Sequence, residues 1–147
     1  MDATEFIKND HKRIEELFQS FYQAEDVEHQ NIFKEIETAL TAHADMEEKV
    51  FYPALKQFAP EEVEQALEEH REVKEILLEL LDADLIDEQF ESQFNRLVED
   101  VRHHVEEEES AAGLLELARK QFDEQQLSSM TAQMQRIQQG TEEELAA

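Results

Sequence analysis

Four apolar stripes at helical spacing run through this chain, and every one carries histidine or glutamate where an aliphatic side chain is expected. The first is Ile7, His11, Ile14, Phe18 and Phe21, whose steps of four and three residues mark one face of an amphipathic helix. The second is Ile36, Leu40, His43, Glu47 and Val50, flanked by Ile32, Phe33 and Phe51. Val63, Leu67 with Ala66, His70, Val73, Leu77 and Leu80 or Leu81 form the third. The fourth is Phe90, Phe94, Leu97, Val101, His104, Glu108 and Ala111 or Ala112, continuing toward Leu115. A fold that buries these stripes must bury four imidazoles and two carboxylates with them.

Two of the stripes hold His and Glu four residues apart, His43 with Glu47 and His104 with Glu108. On a helix such residues share a face, with Cβ atoms roughly 5–6 Å apart. A lone histidine, His11 or His70, precedes each pair at a closely matching distance. The chain therefore reads as a weak internal repeat with approximate two-fold symmetry, its two half-sites facing each other.

Boundaries follow from local chemistry. The first helix spans about residues 3–24, with Asp2 or Thr4 as its cap and Glu5 in the first turn, where the helix dipole favours an acid. Glu25-Asp26 breaks the pattern, and the second helix begins around Val27–Gln30. Pro53 is expected to end or kink it, because proline lacks the amide donor and disfavours helix in the residue before it. A short turn or loose helix then leads to Phe58-Ala59, and Pro60 with Glu61-Glu62 opens the third helix. Asp82-Ala83-Asp84 marks a short connection, and Gly113 ends or bends the fourth helix. Residues 114–139 carry a weaker pattern (Leu117, Phe122, Leu127, Met130, Met134, Ile137), read as a fifth helix or extension packed outside the bundle. Gly140 to Ala147 reads as a frayed acidic tail.

With only two glycines and two prolines in 147 residues, the expected class is all-α. The expected architecture is an up-down-up-down four-helix bundle over residues 1–112, with 113–147 as a C-terminal extension of the same domain. A formal charge of −25, from 38 acidic and 13 basic residues, argues against nucleic acid or an anionic membrane surface as partner. The absence of cysteine excludes disulfides, thiolate metal sites and iron–sulfur clusters. There is no 18-residue apolar run and no basic-then-apolar leader, so a cytoplasmic location is the expectation.

The stripes also select the site. His11, His43, His70 and His104 lie on apolar faces, whereas His29 and His103 are assigned to the surface, with His103 a minor alternative. Burying an unpaired carboxylate costs several kcal/mol or forces its protonation. No Lys or Arg shares the stripes at this level, but a pair of divalent metal ions satisfies all six residues at once. Imidazole and carboxylate without thiolate suit iron, manganese or zinc. If Glu47 and Glu108 bridge, two ions about 3.5–4 Å apart are natural, with positions open to a small ligand. Spacing does not fix which ion takes which residue. Glu48, Glu69 and Glu109 stand beside the site as candidate hydrogen-bond acceptors, and Tyr22 and Tyr52 are read as core or rim packing before any role at the site.

The chain resembles the hemerythrin-like, or HHE cation-binding, proteins over about residues 5–112. The resemblance rests on Asp10-His11-Lys12-Arg13-Ile14, His43 to Glu48, Phe51-Tyr52-Pro53, Glu69 to Val73 and His104 to Glu109. It implies a four-helix bundle around a carboxylate-bridged, oxo- or hydroxo-bridged non-haem di-iron centre. His11, His43, His70 and His104 would be terminal ligands and Glu47 and Glu108 bridges, with manganese or zinc the lesser alternatives to two iron ions. Oxygen carriers of the family add a histidine four residues away on the third helix; here those positions are Ala66 and Lys74. Their second carboxylate is an aspartate five residues after its histidine, whereas Glu108 follows His104 by four. The chain is instead similar to the four-histidine, two-glutamate members, which favours peroxide or nitric oxide chemistry over simple dioxygen carriage. Ferritin-like sites need Glu-x-x-His, which does not occur here.

Three functions follow as expectations. One is binding of O2, H2O2 or NO at a di-iron site in stress response or in iron or oxygen sensing, by a monomer or homodimer. The second is a catalase- or peroxidase-type enzyme acting on H2O2. The third is an acidic helical interaction module whose metal is structural or absent.

Overall fold

A computed structural model describes residues 1–83 and 88–146. Its helices are α1 (Ala3–Gln23), α2 (Asp26–Met46), α3 (Tyr52–Leu55), α4 (Pro60–Leu81), α5 (Glu88–Glu109), α6 (Leu114–Gln121) and α7 (Glu124–Ala146), with a π turn at Glu47–Phe51 between α2 and α3. The four long helices α1, α2, α4 and α5 form the expected bundle, α1 paired with α2 and α4 with α5. The fifth long helix, α7, lies along α2 and also touches α1 and the π turn, outside the four. No helix among the described residues is long and apolar enough to cross a membrane.

Of the two candidate caps for α1, Asp2 acts, accepting the Glu5 amide at 3.0 Å. The α1–α2 corner is closed by His29, whose ring stacks on Phe21 at 4.2 Å and bonds the Ala24 carbonyl at 3.1 Å. His29 is thus half-buried packing rather than the surface residue expected, because Phe21 offers a ring face at the corner. Ala83 follows α4 in the expected connection, while Asp84 falls outside the described residues.

Three boundaries differ from expectation, each for a local reason. Pro53 does not end the second helix. The helix widens into the π turn, where the Tyr52 amide bonds the Glu47 carbonyl five residues back, and Pro53 enters the first turn of α3, where its missing amide is not needed. Helix α5 stops at Glu109, and Gly113 instead caps the start of α6. A Cβ at Gly113 would lie 2.3 Å from the Glu107 carbonyl oxygen and 2.5 Å from that of Glu108, so only glycine lets the chain turn this tightly against α5. The C-terminal segment is not frayed: α7 runs on through Gly140 to Ala146. Thr141 is buried there and donates to Asp45 at 2.8 Å, and Arg13 reaches Glu142 at 3.3 Å.

The bundle has two apolar cores. One gathers Ile7, Met46, Phe51, Leu55, Val63 and Leu115 with Met134 of α7. The other gathers Ile14, Phe18, Ile36, Leu77, Phe94 and Leu97. On α1, His11 lies between Ile7 of the first core and Ile14 of the second; His43 lies likewise between Met46 and Leu40. The imidazoles and carboxylates therefore form a polar layer clamped between two dry ones.

Candidate metal centre

All six residues singled out from the stripes meet in this layer, and all are buried. Glu47 Oε1 lies 3.0 Å from His43 Nε2 and 3.1 Å from His70 Nε2. Glu108 Oε1 lies 3.3 Å from His11 Nε2, and its Oε2 lies 3.2 Å from His104 Nε2. Each carboxylate thus stands between two imidazoles from different helices. One candidate group joins His11, His43, Glu47 and Glu108, a second joins Glu47, His70 and His104, and within each group the ligand atoms lie within 4.8 Å of one another. Glu47 belongs to both.

The far nitrogen of every ring is held by a carboxylate. His11 Nδ1 bonds Glu109 at 2.7 Å, His43 Nδ1 bonds Asp10 at 2.7 Å, His70 Nδ1 bonds Glu48 at 2.9 Å and His104 Nδ1 bonds Glu69 at 2.6 Å. These contacts turn each Nε2 toward the centre, the arrangement by which metal-ligating histidines are oriented and made more basic. Glu48, Glu69 and Glu109 are the acceptors expected beside the site. Asp10 is the one that stripe reading missed: it precedes His11 on α1 but serves His43 of α2, a pairing only tertiary packing creates. Lys74 in turn donates to Glu48 at 3.2 Å.

Tyr52 is the larger miss. Its hydroxyl is buried in the centre, donating to Glu108 at 2.6 Å and lying 3.2 Å from Glu47, His70 Nε2 and His104 Nε2. At 100° per residue, position 52 falls off the stripe of Glu47; the π turn stacks residues five apart and brings both into the layer. Tyr22 is half exposed and donates to Asn95, away from the site. His103 is exposed and pairs with Glu107 at 3.1 Å.

The electrostatics follow from this packing. Burial opposes a charged imidazole, but the facing carboxylates outweigh it, and Glu47 with Asp10 pushes His43 up to about 10. His104 is held well above its usual range by Glu108 against the same burial penalty, and His11 and His70 are raised. Burial would raise Glu108, yet the His104 and His11 imidazoles hold it well below the usual carboxylate range. Burial, Glu108 and Glu47 push the Tyr52 phenol well up, so it keeps its proton.

The donor set fits a pair of metal ions. Among the described residues, His11 Nε2, His43 Nε2, Glu47 Oε2 and Glu108 Oε1 are buried with no hydrogen-bond partner. His43 Nε2 stands 3.0 Å from Glu47 Oε1 without forming a hydrogen bond. All four residues belong to the first candidate group, whose ligand atoms lie within 4.8 Å of one another, in a region where an unsatisfied polar group is costly. Nitrogen and oxygen donors without sulfur suit iron, manganese or zinc.

Comparison with known proteins agrees. The family described as hemerythrin HHE cation binding domain matches residues 2–113. A protein named DNA nickase from Nostoc sp. is 31% identical over 112 residues, covering 75% of this chain and 32% of that protein. The chain thus spans about a third of the length of the curated relative it matches. Among solved structures, a hemerythrin HHE cation binding domain-containing protein, the Rv2633c homolog from Mycobacterium kansasii, aligns with a TM-score of 0.79 at 25% identity, covering 95% of this chain and 89% of that one. With a cation-binding family matched across most of its length and a buried His/Glu cluster at the centre of its bundle, the chain belongs to the hemerythrin HHE cation-binding domain family.

Proposed function

We propose that this protein holds two iron ions in the buried layer and binds or reacts with a small neutral ligand such as O2, H2O2 or NO. The observation that carries this reading is the pair of buried His/Glu groups that share Glu47, with four of their atoms lacking any hydrogen-bond partner. In this reading His11 and His43 would hold one ion and His70 and His104 the other, with Glu47 and Glu108 as the carboxylates available to both. The ions would supply electron transfer and open positions for a ligand. The protein supplies orientation, through the four Nδ1–carboxylate bonds, and exclusion of water, through the two cores.

A cavity of about 140 Å³ supports the ligand class. The four imidazoles form part of its wall, and Ile14, Leu40, Val73, Leu77, Val101 and Val105 form much of the rest. Such a wall admits small neutral molecules and penalises hydrated ions. A second reading, peroxide turnover, is favoured by Tyr52: its phenol keeps its proton and brings a hydrogen-bond donor into the layer, 2.6 Å from Glu108. Net charge of −25 supports a small-molecule partner over nucleic acid for this chain, whatever the Nostoc protein does with its remaining two-thirds. The same reading makes residues 113–147 part of the domain that holds the centre, since Gln138 of α7 donates to Asp10 at 3.1 Å.

Metal analysis of the purified protein, with absorption spectra before and after peroxide or NO, tests the proposal. About two irons per chain and a ligand-dependent charge-transfer band are expected, both lost in Glu47→Ala. Oxygen evolution from peroxide would select the enzyme, and a stable shifted spectrum the binding protein. Zinc, or no metal with the fold intact, would sink the redox reading.

A further inference from the structure

The bundle has a second opening to the same layer, and its chemistry is the opposite of the apolar cavity. A surface pocket of about 220 Å³ is lined by Glu62, Gln65, Glu69, His104, Glu107 and Glu108 together with small residues around Gly113, and no Lys or Arg is among its lining residues. Beside it, Glu69 of α4 and His103 and Glu107 of α5 each bring one ligand atom within 4.8 Å of the others. His103 Nε2 lies 3.1 Å from Glu107 Oε1. A His–Glu pair four apart on one helix is ordinary. What sets this one apart is the third donor, which arrives from another helix. Glu69 also bonds His104 Nδ1 at 2.6 Å, so a single carboxylate touches both the rim and the layer. Glu108, also in the lining, is buried with Oε1 unpartnered.

We propose that Glu69, His103 and Glu107 form an outer divalent-cation site through which metal ions enter the buried layer by way of this acidic pocket. The proposal rests on the two-metal reading above. Three donors, two of them on exposed side chains, leave an ion largely hydrated and free to exchange, as an entry site requires. One imidazole and two carboxylates suit Fe²⁺ or Mn²⁺. An ion taking the apolar cavity would have to shed its water along aliphatic walls at large cost; along the acidic pocket, carboxylates replace that water step by step. A cleft lined by one sign of charge also concentrates ions of the other sign. The two openings thus divide the traffic, with cations entering past Glu107 and neutral ligands between Leu40 and Leu77.

The test uses the full chain, freed of metal by chelation, and the double variant His103→Ala/Glu107→Gln, which leaves Glu69 to hold His104. Fe²⁺ uptake is followed by stopped-flow absorbance and final iron content, and Mn²⁺ binding to the iron-loaded protein by electron paramagnetic resonance. We expect the wild type to bind a further Mn²⁺ weakly and the variant not to. Iron uptake by the variant should slow by about tenfold or more, with final iron content unchanged. Uptake at the wild-type rate, or equal Mn²⁺ binding by the two proteins, would overturn the outer site while leaving the two-metal centre standing. A wild type that takes up no iron would end both readings together.

Discussion

Asp10 shows how much of a candidate metal centre lies outside the residues that face it. One of its oxygens holds His43 Nδ1, while the other accepts from Gln138 at 3.1 Å and from Arg13 at 3.0 Å. It is buried, and the His43 imidazole outweighs burial to keep it below the usual carboxylate range. Asp10→Asn keeps the shape and removes the charge that orients and strengthens His43. We expect it to fold and to lose about 10–100-fold in metal affinity, read by competition with a chromogenic chelator. Glu109→Gln, at a more exposed carboxylate serving His11, should have the smaller effect. Affinity unchanged in Asp10→Asn would mean that the carboxylate contacts are packing alone. The six inward-facing residues were legible because each breaks an apolar stripe, and Glu48, Glu69 and Glu109 because each sits next to such a break or to its neighbouring helix turn. Asp10 was not, since its histidine belongs to another helix. Nor was Tyr52, since the α-helical period does not hold across Glu47–Phe51.

At the scale of elements, the two devices that periodicity could not forecast, the π turn and the α5–α6 corner, both shape the centre. The π turn carries Glu47 and Glu48 and delivers Tyr52. The corner presses Gly113 against the carbonyls of Glu107 and Glu108, so its geometry fixes the end of α5 that carries Glu108. Gly113→Ala forces backbone against backbone there. It should destabilise the protein by about 1–3 kcal/mol and lower its metal content as Glu108 shifts. Gly140 is the internal control: it sits within α7 with nothing within 4 Å of an added Cβ. Gly140→Ala should stabilise by about 0.5–1 kcal/mol. The two urea midpoints should move in opposite directions, and a shared direction would contradict this account of the corner. Helix α7 itself was legible only as a weak stripe: Leu127, Met130 and Met134 join the first core, but the helix lies outside the four and packs chiefly along α2. Its continuation past Gly140 depends on Thr141 and Glu142 finding Asp45 and Arg13, contacts that no local pattern encodes.

At the scale of the whole molecule, a strongly acidic chain clamps acids and imidazoles between two apolar cores, and under the proposed function protons and metal ions compete for that layer. In the metal-free protein the facing carboxylates hold the pKa values of His11, His43, His70 and His104 above the usual imidazole range. A histidine whose pKa rises on folding stabilises the fold fully below its unfolded value near 6.5, and that stabilisation is lost as pH climbs through the folded value, about 10 for His43. Asp10, Glu48, Glu69, Glu108 and Glu109 are depressed, so their stabilisation is present above their unfolded values near 4 and is lost as pH falls through the folded ones. Chelated protein should therefore be most stable from about pH 4.5 to 6.5 and weaken steadily toward pH 10. Metal-loaded protein should show the reverse trend in metal affinity, since ions must displace the protons on Nε2. Urea melts of both forms at mildly acidic, neutral and alkaline pH, with and without added salt, check this. Surface repulsion from a net charge of −25 also grows with pH, but salt screens it, whereas the buried imidazoles are screened far less. An alkaline loss that persists in salt and vanishes on metal loading locates the titration in the layer; one that salt abolishes assigns it to the surface.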